Sequence, residues 1–153
     1  MHKHINTLYI DDEKSNLTSF KAAFRRDFNV FLAESASEGL NILRNNEIHV
    51  ILTDQRMPEK TGVEFLSSIL EEFPNSIRIL VTGYTDMEAL VDAVNKGHIF
   101  KYISKPWDNK KLKEIIIKAY EIYKLNTENQ EITEKLSQAN EQLEFMLRQK
   151  LLS

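Results

Sequence analysis

The stretch that decides the fold is "ILTDQRMP", residues 51–58. Its first three residues, together with Val50 before them, have the apolar and β-branched character of a buried strand. This strand runs directly into Asp54. A carboxylate at the end of an apolar strand is costly to bury unless something at that place requires it. Asp54 is therefore the first candidate for a functional residue.

Strand and helix patterns alternate along the chain on both sides of this stretch. Short apolar runs predict five strands, at residues 5–10, 29–33, 49–53, 77–82 and 99–104. The intervening segments predict a helix after the first strand, then helices at 35–46, 61–73 and 86–97, and a fifth from Asp108 with no clear stop. Ser37 is expected to cap the second helix and Gly97 to end the fourth. Five such repeats with short connections predict an α/β fold, a doubly wound parallel sheet with helices on both faces.

Composition limits the classes of function. The 153 residues suit one ordinary domain with a little to spare, and 42% apolar with 28% charged residues allow a core and a polar surface. No run approaches the roughly 20 apolar residues of a membrane span, and the first residues do not resemble a signal peptide. There are no cysteines, so we expect a cytoplasmic protein without disulfides or thiolate metal sites. A net charge of −3 gives no general reason to expect nucleic acid as a partner.

Polar residues follow several of the predicted strands. Doubly wound sheets bind their ligands at the carboxyl ends of the strands, so these residues are expected to meet at one rim. They are Asp11, Asp12 and Glu13 after the first strand, Asp54 after the third, Thr82 and Gly83 after the fourth, and Ser104, Lys105 and Pro106 after the fifth.

This set of residue types indicates phosphoryl chemistry. Carboxylates a few ångströms apart raise each other's pKa unless a counter-charge is present, and clustered oxygen ligands favour Mg²⁺. A carboxylate can itself be the nucleophile that accepts a phosphoryl group, while a metal and a lysine stabilise the transferring charge. On this interpretation Asp54 is the nucleophile, and Asp11 and Asp12 bind the metal. Lys105 supplies positive charge and Thr82 a hydroxyl.

Five short motifs occur in a recognisable order. They are "DDE" (11–13), "DQRMP" (54–58), Gly62, "TG" (82–83) and "KP" (105–106). Together they resemble the receiver domain of two-component response regulators, over about residues 5–125. The resemblance implies a flavodoxin-like sheet with strand order 2-1-3-4-5. We therefore expect a receiver domain at residues 1–125 and a coiled-coil extension of the fifth helix at 126–153.

The resemblance also implies roles for individual residues. Asp54 would accept a phosphoryl group from a histidine kinase or a phosphotransfer protein, and Lys105 would contact that group. Asp12 would bind Mg²⁺ directly and Asp11 largely through water. The backbone carbonyl of Arg56 would be a further metal ligand.

The expected switch involves two other side chains. Thr82 would move towards the phosphoryl group, and Tyr102 would swing inward into the vacated space. The Lys105–Pro106 peptide bond would be cis. Arg56 and Tyr84 are both large and flank the expected path of a hydrolytic water, so we expect them to influence the lifetime of the phosphoryl group.

Three other functions fit parts of the same pattern. A pseudo-receiver would be a protein-interaction module that is never phosphorylated, but the acid, threonine and lysine set is intact. An aspartate-nucleophile phosphatase normally has D-x-D after its first strand, and "DDEKS" (11–15) lacks that spacing. A flavin-binding domain would have to overcome repulsion between the acidic rim and the cofactor phosphate. We therefore expect a signalling switch rather than an enzyme acting on a separate substrate.

The fifth helix continues beyond the expected domain with a seven-residue repeat. No Gly or Pro interrupts residues 107–153, and eight of the ten residues at a and d are apolar. This pattern is typical of a coiled coil, and a single Asn at a favours a parallel homodimer in fixed register. A lone amphipathic helix folded back on the domain is the alternative. We expect either an output domain beyond Ser153 or dimerisation as the output. The a residues are Ile115, Ile122, Asn129, Leu136 and Leu143, and the d residues are Lys118, Leu125, Ile132, Ala139 and Met146.

Overall fold

The chain folds into alternating strands and helices. This computed structural model describes residues 2–83, 87–96 and 98–152, and only the backbone of residues 87–89. The strands are β1 (Asn6–Ile10), β2 (Asn29–Ala33), β3 (Val50–Asp54), β4 (Ile77–Thr82) and β5 (Lys101–Ser104). The helices are α1 (Lys14–Phe24), α2 (Ala36–Asn45), α3 (Gly62–Ser68), α4 (Met87–Asn95) and α5 (Asn109–Leu152).

The five strands form one parallel sheet in the order β2-β1-β3-β4-β5. The prediction of a doubly wound, flavodoxin-like α/β fold with a long C-terminal helix is thus confirmed. Parallel neighbours place the carboxyl ends of all strands at one edge of the sheet. That edge is where the predicted polar residues lie.

Separate apolar cores cover the two faces of the sheet. Side chains alternate between faces along a strand, so Leu8 of β1 and Ile51 of β3 join one core, while Tyr9 and Leu52 join the other. All four are fully buried, which explains why these strands read as apolar on both sides. The core that contains Tyr9 is closed by buried residues of α1 and α5, among them Leu17, Phe20, Phe24, Leu112 and Ile116.

The N-terminus of α2 differs from the prediction. Ser35, not Ser37, is the N-cap, and its hydroxyl accepts a hydrogen bond from the backbone N–H of Glu38 at 3.1 Å. Ser37 lies inside the helix, so the prediction was wrong. Ser35 has the extended backbone that a cap requires and a glutamate three residues later, which is the usual sequence signal of a helix start.

Helix α3 is shorter than the predicted span 61–73 and ends at Ser68. It begins with a capping box, in which Thr61 and Glu64 each accept a hydrogen bond from the other's backbone N–H. The following residues form turns up to Pro74, and no Gly or Pro between 62 and 74 signals the end of the helix. The predicted C-cap of the fourth helix, Gly97, lies outside the described residues.

The chain divides into two units, Met1–Tyr123 and Lys124–Ser153. The predicted boundary between residues 125 and 126 stays a prediction. In the second unit the residues described are all helical, and the large apolar side chains at its a and d positions are exposed in the single chain: Leu125, Ile132, Leu136, Leu143 and Met146. Over the part of the chain that the structure describes, no helix combines the length and apolar character needed to cross a membrane.

Gly62 is required by close packing under the end of β3. A Cβ on Gly62 would overlap the backbone oxygen of Asp54 and lie 2.7 Å from Cδ1 of Leu80. We expect Gly62→Ala to lower the free energy of unfolding by about 1–3 kcal/mol, because the backbone of Asp54 cannot yield as a flexible side chain could. The matched control is Gly83→Ala, whose Cβ would meet Cβ of Lys105 at 4.0 Å. Urea unfolding followed by circular dichroism tests this, and equal losses in the two variants would contradict it.

Candidate acidic site at the carboxyl ends of the strands

The ends of four strands position the predicted site residues. Asp11 directly follows β1, Asp54 is the last residue of β3, Thr82 is the last residue of β4, and Lys105 directly follows β5. Strand pairing fixes their relative heights, since Ile10 pairs with Thr53, Asp54 with Val81, and Thr82 with Ser104. The sheet therefore places these side chains at one rim.

Three carboxylates gather at this rim. Asp11, Asp12 and Asp54 each offer an oxygen, and these oxygens lie within 4.8 Å of one another. Asp11 is fully buried, Asp54 is half-buried and Asp12 is exposed. A donor set made only of carboxylate oxygens, partly open to solvent, fits a hard divalent cation that keeps some of its waters. Arg56 is an exposed residue of the segment between β3 and α3, two positions after Asp54.

The ammonium group of Lys105 lies between two of these carboxylates. Its Nζ is 3.2 Å from Oδ2 of Asp11 and 3.1 Å from Oδ1 of Asp54. The lysine is held at its own backbone, because its N–H donates to the carbonyl oxygen of Thr82 at 3.0 Å. The Lys105–Pro106 peptide bond is cis, as the resemblance implied.

The pKa values of this ion pair follow from burial and charge. Burial raises the pKa of the Asp54 carboxyl, and the hydrogen bond and charge of Lys105 offset only part of that effect. Burial alone would lower the pKa of Lys105, but its hydrogen bonds and the charges of Asp54 and Asp11 outweigh it, so the pKa is raised. Lys105 thus reduces the cost of ionising Asp54, and the two carboxylates favour the protonated form of Lys105.

Two donors to Asp11 were missed at the level of sequence. The hydroxyl of Tyr9 donates to Oδ2 of Asp11 at 2.6 Å, and Nδ2 of Asn16 donates to the same oxygen at 3.0 Å. Burial, followed by the hydrogen bond to Asp11, raises the pKa of Tyr9, so the hydroxyl stays a donor. A signal was available for Tyr9, because Asp11 directly follows β1, and residues two positions apart along an extended chain project to the same side.

The two predicted switch residues differ in exposure. Thr82 is buried at the end of β4. Tyr102, on the edge strand β5, is 40% exposed and lines an open groove with Leu90, Val94 and Phe100. The other residue expected near the hydrolytic path, Tyr84, lies outside the described residues.

A 2-1-3-4-5 parallel sheet with three carboxylates and a lysine at its carboxyl edge defines a class of α/β protein, the flavodoxin-like domains with an acidic site. The chain belongs to the response regulator receiver domain family, whose model matches residues 7–117.

Individual relatives support this assignment. The hydrogenase transcriptional regulatory protein HoxA of Bradyrhizobium diazoefficiens is 33% identical over 123 residues, which are 80% of this chain and 25% of that protein. The chain thus spans about a quarter of the length of the curated relatives it matches.

Solved structures give the same result. The adenylate cyclase structure from Rhodopirellula baltica matches with a TM-score of 0.81 and 30% identity, over 88% of this chain and 99% of that one. The beryllofluoride-activated NtrC4 receiver domain dimer matches with a TM-score of 0.71 and 28% identity, over 77% of this chain and 98% of that one.

The contribution of Lys105 to stability should depend on pH. A carboxyl whose folded pKa is raised contributes stability that is fully present below its unfolded pKa, about 4, and is lost as pH rises through the folded value. Without Lys105, the stability lost on ionising Asp54 should be larger. In EDTA, we expect Lys105→Met to be less stable than the parent by about 1–2 kcal/mol at pH 8, a modest value because the site is partly exposed. The difference should be smaller at pH 4, where more of the Asp54 carboxyl is protonated.

The matched control for this variant is Lys113→Met. Lys113 also pairs with an aspartate, Asp27, at 2.9 Å, but both side chains are more exposed. Its loss should be about 0.5 kcal/mol or less at either pH. Urea unfolding at the two pH values measures both, and a loss for Lys105→Met that does not grow with pH would contradict the electrostatic explanation.

Proposed function

We propose that this chain acts as a phosphorylatable switch in a two-component phosphorelay, with Asp54 as the phosphoacceptor. The observation that supports this proposal most directly is the position of Lys105 Nζ. It lies 3.1 Å from Oδ1 of Asp54, beside a cluster of three carboxylates. An aspartate with only a structural role would not need two further carboxylates beside it, because like charges repel. The phosphodonor would be a histidine kinase or a phosphotransfer protein.

The proposed chemistry is a single displacement at phosphorus. A carboxylate oxygen of Asp54 attacks the phosphohistidine phosphorus, a P–O bond forms, and the P–N bond breaks with its electron pair returning to the imidazole. The half-buried carboxylate is a better nucleophile than a fully solvated one, since it has less water to shed. Lys105 then pairs with a phosphoryl oxygen, where its fixed positive charge offsets the charge that the phosphoryl group brings.

The acidic cluster is the proposed Mg²⁺ site. Asp12 would bind the ion directly, Asp11 largely through water, and Asp54 and the backbone carbonyl of Arg56 would complete the protein ligands. The donor set fits, because it consists of oxygen atoms alone and includes one exposed carboxylate. When bound, Mg²⁺ supplies positive charge that neutralises the transferring phosphoryl group.

The proposed response to phosphorylation uses Thr82 and Tyr102. Thr82 stands at the end of the strand next to β3, and its carbonyl oxygen already accepts a hydrogen bond from Lys105. A new dianion on Asp54 would attract the Thr82 hydroxyl, and the half-exposed Tyr102 ring would move into the space it leaves. The domain would thereby present a changed surface, and we class it as a cytoplasmic signalling module rather than an enzyme with a separate substrate.

The second unit is proposed to form a parallel homodimer. Its exposed a and d side chains recur every seven residues, which is the spacing that buries them against a second copy. The NtrC4 receiver domain was solved as a dimer, which makes a dimeric arrangement reasonable in this family. The curated relatives are longer regulators, so we propose that the helix passes the signal to an output domain.

Phosphorylation should require Asp54. With acetyl phosphate and Mg²⁺, we expect phosphate-affinity gels to show one slower band for the parent chain and none for Asp54→Asn, because the amide is a poor nucleophile. Asp12→Asn should slow the reaction at least tenfold by removing a metal ligand. The matched control is Glu34→Gln, since Glu34 follows β2 and should leave the rate unchanged.

The same experiment separates the alternatives. A parent chain that shows no Asp54-dependent change with acetyl phosphate or beryllofluoride would be a pseudo-receiver, and the proposal would be lost. Steady turnover of a phosphate ester that disappears in Asp11→Asn would instead indicate a phosphatase.

Dimerisation should depend on the heptad seam. Leu136→Lys places a charge at an a position, where it would face its copy across the seam, and should weaken the dimer at least tenfold. Ser137→Lys adds the same charge one residue later, at a b position outside the seam, and should leave the dimer intact. Sedimentation equilibrium measures both, and equal effects would contradict a coiled coil in this register.

A further inference from the structure

The packing of the core explains the ring of Tyr9 but not its hydroxyl. The ring of Tyr9 is fully buried and packs against Phe20 and Trp107, with ring centroids 4.6 Å and 6.1 Å away. A phenylalanine ring would fill this space equally well. The hydroxyl is therefore the part that requires an explanation, and within the residues that the structure describes it donates to Oδ2 of Asp11 at 2.6 Å.

The donors around Asp11 hold its carboxylate in one orientation. Oδ1 accepts the backbone N–H of Glu13 at 3.0 Å, while Oδ2 accepts from Tyr9, Asn16 and Lys105 at 2.6, 3.0 and 3.2 Å. Of the three donors to Oδ2, Tyr9 makes the shortest contact, and it is the only one whose side chain is fully buried. Lys105 is shared with Asp54 and can leave, whereas Tyr9 is fixed by its packing.

We propose that Tyr9 is a positioning residue for the metal site, and that its hydroxyl holds the buried Asp11 carboxylate in the orientation in which it supports Mg²⁺. This inference rests on the proposed function. The physical reason is that a carboxylate with a fixed plane loses less rotational freedom when a cation and its waters bind. Donors that orient ligand side chains commonly change metal affinity by 10- to 100-fold.

The test is a Mg²⁺ titration of the Tyr9→Phe chain without any phosphodonor. We expect the dissociation constant for Mg²⁺ to rise about tenfold, at the low end of that range because Asn16 remains as a donor. Trp107 is the only tryptophan of the chain and contacts the Tyr9 ring edge-on, so its fluorescence is a local readout, and calorimetry provides an independent one.

The matched control is Tyr123→Phe. The Tyr123 hydroxyl also donates to a carboxylate oxygen, Oε1 of Glu47, at 3.1 Å. Glu47 lies just before the start of β3, whereas Asp54 is at the other end of that strand. This variant makes the same chemical change away from the acidic site, and its Mg²⁺ affinity should match the parent. Thermal unfolding in EDTA should show both variants folded.

A second measurement is made on the parent chain, with Tyr9→Phe used only to assign the signal. A buried hydroxyl with so short a hydrogen bond should give a slowly exchanging proton resonance, which is absent in Tyr9→Phe. We expect this resonance to shift in the parent chain as Mg²⁺ is added, with the same midpoint as the fluorescence change. A hydroxyl that served only the packing of the core would not respond.

The outcomes separate the two proposals. If the parent binds Mg²⁺ in an Asp54-dependent way and Tyr9→Phe binds it equally well, or if the hydroxyl resonance does not move, the role of Tyr9 is refuted and the proposed function stands. If the parent shows no saturable Mg²⁺ binding, the proposed function is refuted and the role of Tyr9 with it. A selective loss in Tyr9→Phe with an unchanged Tyr123→Phe supports the inference.

Discussion

The contact of one ammonium group with two carboxylates is the interaction on which the acidic site depends. At an effective dielectric constant of about 20, two charges roughly 5 Å apart repel each other by roughly 3 kcal/mol. Asp11, Asp12 and Asp54 share that repulsion, and Lys105 is the cation that the chain itself places among them. Among the described residues, the parallel sheet and Gly62 bring these groups together, and the other donors to Asp11 limit the cost of doing so.

The parallel sheet is what brings the groups together. Asp11, Asp54 and Lys105 are far apart in sequence. Each lies at the carboxyl end of a strand or directly after it, and parallel pairing aligns the strand ends. The apolar cores on the two faces hold the strands in register. The positions of the carboxylates at the strand ends therefore depend on packing between residues that are distant from them in sequence. Gly62 adds a local condition, because only a residue without Cβ allows α3 to start directly against the backbone of Asp54.

Much of this arrangement could be predicted from the sequence. The alternation of elements and the polar residues at strand ends are local signals, and both were correct for the residues described. The strand order was available only through the resemblance, since periodicity does not say which strands are neighbours. The N-cap of α2 and the end of α3 were predicted wrongly. Two serines compete for the one cap position, and α3 ends at Ser68 although no residue type there forbids a helix.

The donors to Asp11 were missed for a different reason. Tyr9 stands in a strand that is apolar on both faces, where an aromatic residue is explained by packing alone. A role for its hydroxyl can be assigned only once Asp11 is known to be fully buried and within hydrogen-bond distance of it. Sequence patterns describe which face a residue takes, whereas the pairing of a donor with an acceptor depends on distances that only the folded chain supplies.

The sharing of Lys105 links the resting site to the phosphorylated one. If the proposed chemistry holds, Lys105 must turn from the two carboxylates towards the new phosphoryl oxygens, and Asp11 then loses the hydrogen bond from the Lys105 ammonium group. A fully buried carboxylate left without donors is expensive, since its desolvation is no longer compensated. Tyr9 and Asn16 remain on Oδ2, and the N–H of Glu13 remains on Oδ1, so the lysine can leave without stranding the charge. On the proposed chemistry, the neutral donors around Asp11 thus leave Lys105 able to change partners.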